Sequence, residues 1–251
     1  STRVIQRGDA DLCFSGCAEA PINYMRMMRM VLAQRLAATG DSEDGAAAVR
    51  PYDPEAPGQV LGEGGGILIL EEAASAHRRG ARVYAEVAGF GAAQSGPAPA
   101  GWTRGGLGAQ VDEGLQFAME NALEDAGITP GDIDAIVPHA AGIVAMDSGE
   151  AGALKAVFGS RLGEIPLITV TGQIGDCMAA GGGLAAAIAA KCLHEQALPA
   201  RLHSGRPAGG LRAGAEGTRP AKLRHILVAT GSLGGQNAAV VLRTATGAVA
   251  N

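Results

Sequence analysis

Two stretches decide how this chain folds: Ile136 to Leu154, IVPHAAGIVAMDSGEAGAL, and Pro166 to Leu193, PLITVTGQIGDCMAAGGGLAAAIAAKCL. In the first, an apolar run ends at Pro138–His139, and Asp147 and Glu150 follow on a helical segment. In the second, an apolar run ends in a Gly-rich turn from Gly172 to Gly175. A helix of small residues follows, in which Gly181, Gly182 and Gly183 permit very close packing. Two strand ends and two helix starts of this kind converge on one site in a layered α/β fold.

Outward from these stretches the same alternation continues. Asp132–Pro138, Ile165–Val170, His225–Ala229 and Ala238–Arg243 read as strands, and Arg82–Gly91 alternates like one. Gln110–Ala126 reads as an amphipathic helix closed by Gly127, and Ser148–Phe158 and Met178–Leu193 as further helices. The order after Arg82 is β-α-β-α-β-α-β-β, an α/β unit with helices packed on a largely buried sheet. Residues 92–104 and 199–222 read as long Pro- and Gly-containing loops.

Ahead of that unit come fewer elements. Ser1–Arg7 reads as the end of a helix stopped at Gly8, and Asp11–Gly16 as a short buried strand. A methionine-rich helical segment, with Met25, Met28, Met30 and Val31, belongs to the core or to a partner-facing surface. Gly62 to Gly66 leads directly into Ile67–Leu70, which reads as a strand buried on both faces. Glycines before a strand do not cradle phosphate, because phosphate loops follow a strand and open a helix; here they serve close backbone approach. The division expected is 1–80, the remainder of one half-fold, and 81–251, a complete second half. A front part lies elsewhere on this reading, so a partner polypeptide completes the assembly.

The 251 residues are 47% hydrophobic, with 39 Gly and only 3% aromatic residues, a composition suited to tightly packed α/β layers. A formal net charge of −5 leaves no electrostatic footprint for nucleic acid. No apolar stretch approaches the ~20 residues of a membrane span, and no signal peptide is recognisable. Cys13, Cys17, Cys177 and Cys192 lack metal-site spacing and read as thiols in a reducing, cytoplasmic compartment.

Five motifs, in order, resemble the β-ketoacyl synthases, condensing enzymes of the thiolase fold. RVIQRGDADLCFSGCAEA from Arg3 resembles the segment after the family's nucleophile helix. RPYDPEAPGQVLGEGGGILILEEAASAHRRGARVYAEVAGFG, from Arg50 to Gly91, matches a long signature and is the most specific likeness. PHAAGIVAMDSGEA resembles P-H-G-T-x-T-x-x-x-D-x-x-E, TGQIGDCMAAGGG resembles K-x-x-x-G-H-x-x-G-A-A-G, and GSLGGQNAAVVLR the closing G-F-G-G-x-N strand.

The resemblance implies an acyl chain carried on the phosphopantetheine of an acyl carrier protein, and no resident cofactor. It implies a nucleophilic Cys at a helix N-terminus, ahead of Ser1. It further implies two His that promote malonyl decarboxylation and stabilise the enolate. His139 falls on the first His; the second falls on Asp176, the motif Lys on Thr171, and the two pantetheine-binding threonines on Ala141 and Ile143. The gatekeeper Phe falls near Gly231. Asp147 and Glu150 are retained as supporting groups. These substitutions imply a degenerate, chain-length-factor-like subunit of fatty-acid or polyketide biosynthesis. Such a subunit does not condense acyl groups alone and works as a heterodimer or other oligomer with a Cys-bearing synthase subunit or front-half polypeptide.

Two other readings compete with it. One is an independent thiol enzyme using Cys177, at a helix start, with His139. The other, anion binding at the glycines near Gly172 or Gly181, lacks both G-x-G-x-x-G after a strand and a P-loop Lys. His77, His194, His203 and His225 read as surface or packing residues, and His139 itself could be a buried structural His bonded to backbone.

Overall fold

The computed structural model describes residues 1–40, 43–96, 111–232 and 234–245. Along the chain run α1 (Thr2–Gln6), β1 (Leu12–Glu19), α2 (Tyr24–Leu32), α3 (Gly45–Ala48), β2 (Gly64–Glu71), α4 (Ala73–Arg78) and β3 (Glu86–Gln94). Then follow α5 (Glu113–Ala126), β4 (Ala135–Val137), α6 (Val144–Phe158), α7 (Thr171–Ile174) and α8 (Gly181–Glu195). The chain closes with β5 (Ala197–Leu198), β6 (Arg219–Pro220), β7 (His225–Gly231) and β8 (Gln236–Arg243).

Four strands form one sheet in the order β3-β8-β7-β4, antiparallel except for the parallel β7–β4 pair. Residues Ala135, Ile136 and Val137 of β4 are fully buried because both faces are covered. On one face, Ile136 and Leu227 pack with Leu115, Met119 and Leu123 of α5 and Leu154 and Phe158 of α6. On the other, Val137, Ile226 and Val228 pack with Ala185, Ala189, Cys192 and Leu193 of α8. The α5 helix is framed as its sequence requires, with the Asp112 side chain capping its start and Gly127 closing it at φ 65°.

Helix α8 is shared with a second sheet, the antiparallel ribbon β1–β2, in which Phe14 pairs with Ile69 and Gly16 with Ile67. Its small residues make that possible: a Cβ on Gly66 would stand 2.6 Å from Gly183 backbone. The Gly62–Gly66 run therefore does provide close backbone approach. The molecule stacks ribbon, α8, four-stranded sheet, and α5 with α6, in that order.

Several expectations need correction. Ile67–Leu70 is not covered on both faces, with Ile67 71% and Ile69 60% exposed, and Asp11–Gly16 is not a buried strand: β1 has no buried residue and Phe14 is 73% exposed. Period-two reasoning cannot see that distinction, because every residue of the run is apolar. The methionine-rich α2 has no buried residue, which removes the core reading and leaves a surface one. Ile165–Val170 is extended but joined by isolated bridges, Ile136 to Leu167 and Pro166 to Arg212, rather than forming a ladder. The 92–104 loop begins later than expected, since β3 runs to Gln94, and its part from 97 on lies outside the described residues. The same holds for Gln110 at the start of the expected helix. Among the described residues no helix is long and apolar enough to cross a membrane.

Candidate functional site

The ends of β4, α7 and β7 and the start of α8 surround a cavity of about 290 Å³. Its apolar wall includes Val170, Ile174, Met178, Ala185 and Ala238, and its polar groups include His139, Thr171, Asp176, Thr230, Ser232 and Asn237. His139 follows β4 because the strand ends at Pro138, and Asp176 follows the Gly175 turn at φ 73°. The backbone of Asp176 is clamped against the 60–62 segment: its N–H donates to Val60 O at 2.7 Å, and its C=O accepts from Gly62 N–H at 2.9 Å.

His139 Nε2 lies 3.7 Å from Asp176 Oδ2, an ion-pair distance longer than a hydrogen bond. Burial alone would lower the imidazole, but the Asp176 carboxylate, with Glu150 and Asp147 behind, overcomes it and lifts His139 to about 9. Burial pushes Asp176 upward, and His139, the Met178 N–H at 2.8 Å and Arg35 together hold it below the usual carboxylate value. The two are therefore an imidazolium–carboxylate pair at neutral pH.

Asp147 and Glu150, on α6, do not point at a lysine. Asp147 Oδ2 accepts from the Tyr52 N–H at 2.8 Å, and both its oxygens accept from the Gly142 N–H. Glu150 accepts from the Tyr52 hydroxyl at 2.8 Å and from the N–H groups of His139 and Ala140 at 2.8 and 2.9 Å. Burial, aided by Glu150, pushes Asp147 up to about 7 against those hydrogen bonds and the charge of His139. The same burial, with both carboxylates, pushes the Tyr52 phenol well above its ordinary value. Tyr52, Ala140 and Met178 all have positive φ, at 62°, 51° and 52°. Each costs on the order of 1 kcal/mol, so the network over-determines the backbone around the site.

The remaining expected positions are in place around the cavity or beside it. Thr171 is buried, and its hydroxyl donates to Ala140 O at 2.9 Å, so it ties α7 to the loop after β4. Ala141 and Ile143 are each 2% exposed and bring no hydroxyl. Gly231 lines the cavity, where a Cβ would stand 2.5 Å from Asn237 Oδ1. Cys177 also lines it, but its thiol contacts the carbonyls of Ile174 and Gly175, and burial and then Asp176 push it up. The expected thiolate-favouring helix start is only a short 3₁₀ turn, Met178–Ala180. His203 meets Pro51 O, His225 meets Asp132 O, and His194 stacks on Tyr84, all away from the cavity. Among the described residues no cluster of His, Cys, Asp and Glu is placed to hold a metal ion.

Sequence reasoning missed three participants. Tyr52 sits inside the RPYD stretch, whose specificity was the available signal. Arg35 is 4% exposed beside Asp176, and nothing in its methionine-rich context marked it. Asn237 is 3% exposed, and among the described residues none donates to its Oδ1.

Comparison with known proteins gives a consistent result. Residues 1–76 match the family described as beta-ketoacyl synthase, N-terminal domain, and residues 84–204 match beta-ketoacyl synthase, C-terminal domain. The 3-oxoacyl-[acyl-carrier-protein] synthase 2 of Staphylococcus aureus is 32% identical over 210 residues, 82% of this chain and 49% of the relative. The protein of the same description from Rhizobium meliloti (strain 1021) is 32% identical over 98% of this chain and 57% of its own length. The chain thus spans about half the length of the curated relatives it matches. Among solved structures, the ishigamide ketosynthase/chain length factor superposes with a TM-score of 0.82 and 26% identity, over 98% of this chain and 57% of that one. A type II PKS acyl-carrier protein in complex with its ketosynthase superposes at 0.83 with 24% identity, over 97% of this chain and 59% of that one, which speaks to the fold. The fold is the thiolase-like one of these ketosynthases.

Proposed function

The chain belongs to the β-ketoacyl synthase family, and on that premise we propose that it is a non-condensing, chain-length-factor-like subunit that helps hold an acyl chain within a heteromeric synthase. The observation that carries this reading is the His139–Asp176 ion pair. Enolate stabilisation needs donors aimed at developing negative charge. By the likeness, Asp176 falls on the family's second His, and His139, which falls on the first, faces that carboxylate at 3.7 Å. Thr171, Ala141 and Ile143 support the same reading, since they replace the ammonium and the two hydroxyls that the likeness implies.

The cavity has a largely apolar wall, as a chain-holding role requires. The bare outer face of β1–β2 and the exposed Met25, Met28, Val31 and Leu32 of α2 favour a protein partner, because apolar surface of that extent is costly in water. The partner is proposed to be a synthase subunit that carries the reactive Cys, served by an acyl carrier protein. A ketosynthase/chain length factor and a ketosynthase with its acyl-carrier protein are among the similar structures. The thiol-enzyme reading is disfavoured by the raised, inward-facing Cys177.

The test is native mass spectrometry of the protein from its source with identification of what co-purifies, followed by assay with malonyl- and acyl-carrier protein. A stoichiometric Cys-bearing synthase subunit, activity in the complex and none in the isolated chain are expected. Condensation by the isolated chain would overturn the reading.

A further inference from the structure

We propose that the cavity accepts an uncharged acyl thioester and excludes one bearing a carboxylate, with Asp176 as the fixed charge on its wall that turns the carboxylate away. This rests on the reading of the chain as an acyl-holding subunit and deepens it by naming the ligand class.

The first support is the charge of the wall. Of the residues that line the cavity, the titratable ones are His139, Asp176 and Cys177. His139 provides the cation there, and its Nε2 already faces Asp176 Oδ2 at 3.7 Å. Glu150, through the His139 and Ala140 N–H groups, and Asp147 lie behind the same imidazole. An incoming carboxylate would lose its water, face a fixed carboxylate, and find no free cation. Uncompensated burial of a charge is among the costliest events in binding. A neutral chain meets Val170, Ile174, Met178, Ala185 and Ala238 and pays no such cost.

The second support is the anchoring of Asp176. Its Oδ1 accepts from the Met178 N–H at 2.8 Å, and its backbone N–H and C=O are bonded to Val60 O and the Gly62 N–H. The carboxylate is thus held on the wall and does not swing away from an incoming anion.

The third is the polarity of the remaining groups. Thr230 and Ser232 bring neutral hydroxyls to the wall, so the groups beside His139 and Asp176 add no cation that would answer a ligand carboxylate.

The experiment uses a matched pair of probes, hexanoyl- and adipoyl-N-acetylcysteamine, which differ by one terminal carboxylate. Calorimetric titration of the whole protein should give hexanoyl binding at least about thirtyfold tighter than adipoyl, the factor set by leaving one carboxylate unpaired. Asp176→Asn should cut that ratio by about tenfold or more, since one full charge leaves the wall. Equal affinities in the wild-type protein would overturn the selectivity and leave the acyl-holding reading standing; binding of neither probe would overturn both. The wild-type pair needs no variant, so the inference stays testable if Asp176→Asn does not fold.

Discussion

Strand β4 and strand β2 are built from the same kind of residue and end in opposite situations. Ala135, Ile136 and Val137 of β4 are sealed between α5 and α6 on one side and α8 on the other. In β2, Leu68 and Leu70 face inward while Ile67 and Ile69 face solvent on the ribbon's open side. The contrast teaches that an apolar run reports what a strand can tolerate, and that its coverage depends on what the rest of the assembly lays over it.

Substitutions can break or sharpen that contrast. The largest effect is expected in the sealed region: Leu154→Ala should cost about 4 kcal/mol by denaturant titration, because a fully buried Leu on α6 leaves a cavity that neighbours cannot fill. A loss below about 1 kcal/mol would mean that this core is looser than its burial indicates. Next comes the seam between the two regions. Gly183→Val should cost about 3 kcal/mol, since even a Cβ there stands 2.7 Å from Gly66 O and 2.8 Å from Cys17 Sγ, and α8 must lift off the ribbon.

The His139–Asp176 pair gives a pH signature. The folded pKa of His139 is raised from 6.5 to about 9, so its contribution is fully present below 6.5 and is lost as pH rises through 9. Its size is on the order of 3 kcal/mol for a shift of that length. Asp147, raised from 3.8 to about 7, adds a decline in the same direction across that lower window. Asp176, held below its ordinary value, acts oppositely, and its contribution is lost only in acid. Stability should therefore fall from pH 5 to pH 9, and Asp176→Asn should flatten the part between 6.5 and 9. A wild-type curve flat over that interval would show His139 neutral and unpaired. The smallest effect belongs to the open face: Phe14→Ser and Ile67→Thr should each change the stability of the isolated chain by less than about 0.5 kcal/mol. A cost above about 2 kcal/mol would show that this face is covered in solution.

Much of the fold was legible in the sequence because its cues are local. The Asp112 cap, the Gly127 stop and the periodicity between them placed α5 within three residues, and the two closing strands were found in their places. The Gly62–Gly66 and Gly181–Gly183 runs signalled close packing without saying that they pack on each other. For the site, motif spacing singled out His139 and Asp176, and the structure brings the two together at the cavity. The pairing of Asp147 and Glu150 with Tyr52, and the presence of Arg35, were illegible: residues about 95 or more positions apart leave no periodic trace.

By itself, then, the sequence determined the family and the layered α/β class, because each rests on residue identity at short, ordered spacings. Only the tertiary structure decided that Asp176 neutralises His139, that Cys177 turns inward, and that one face of the ribbon stays bare. Those outcomes depend on burial and on distances between segments far apart in the chain, and burial sets which charges must pair.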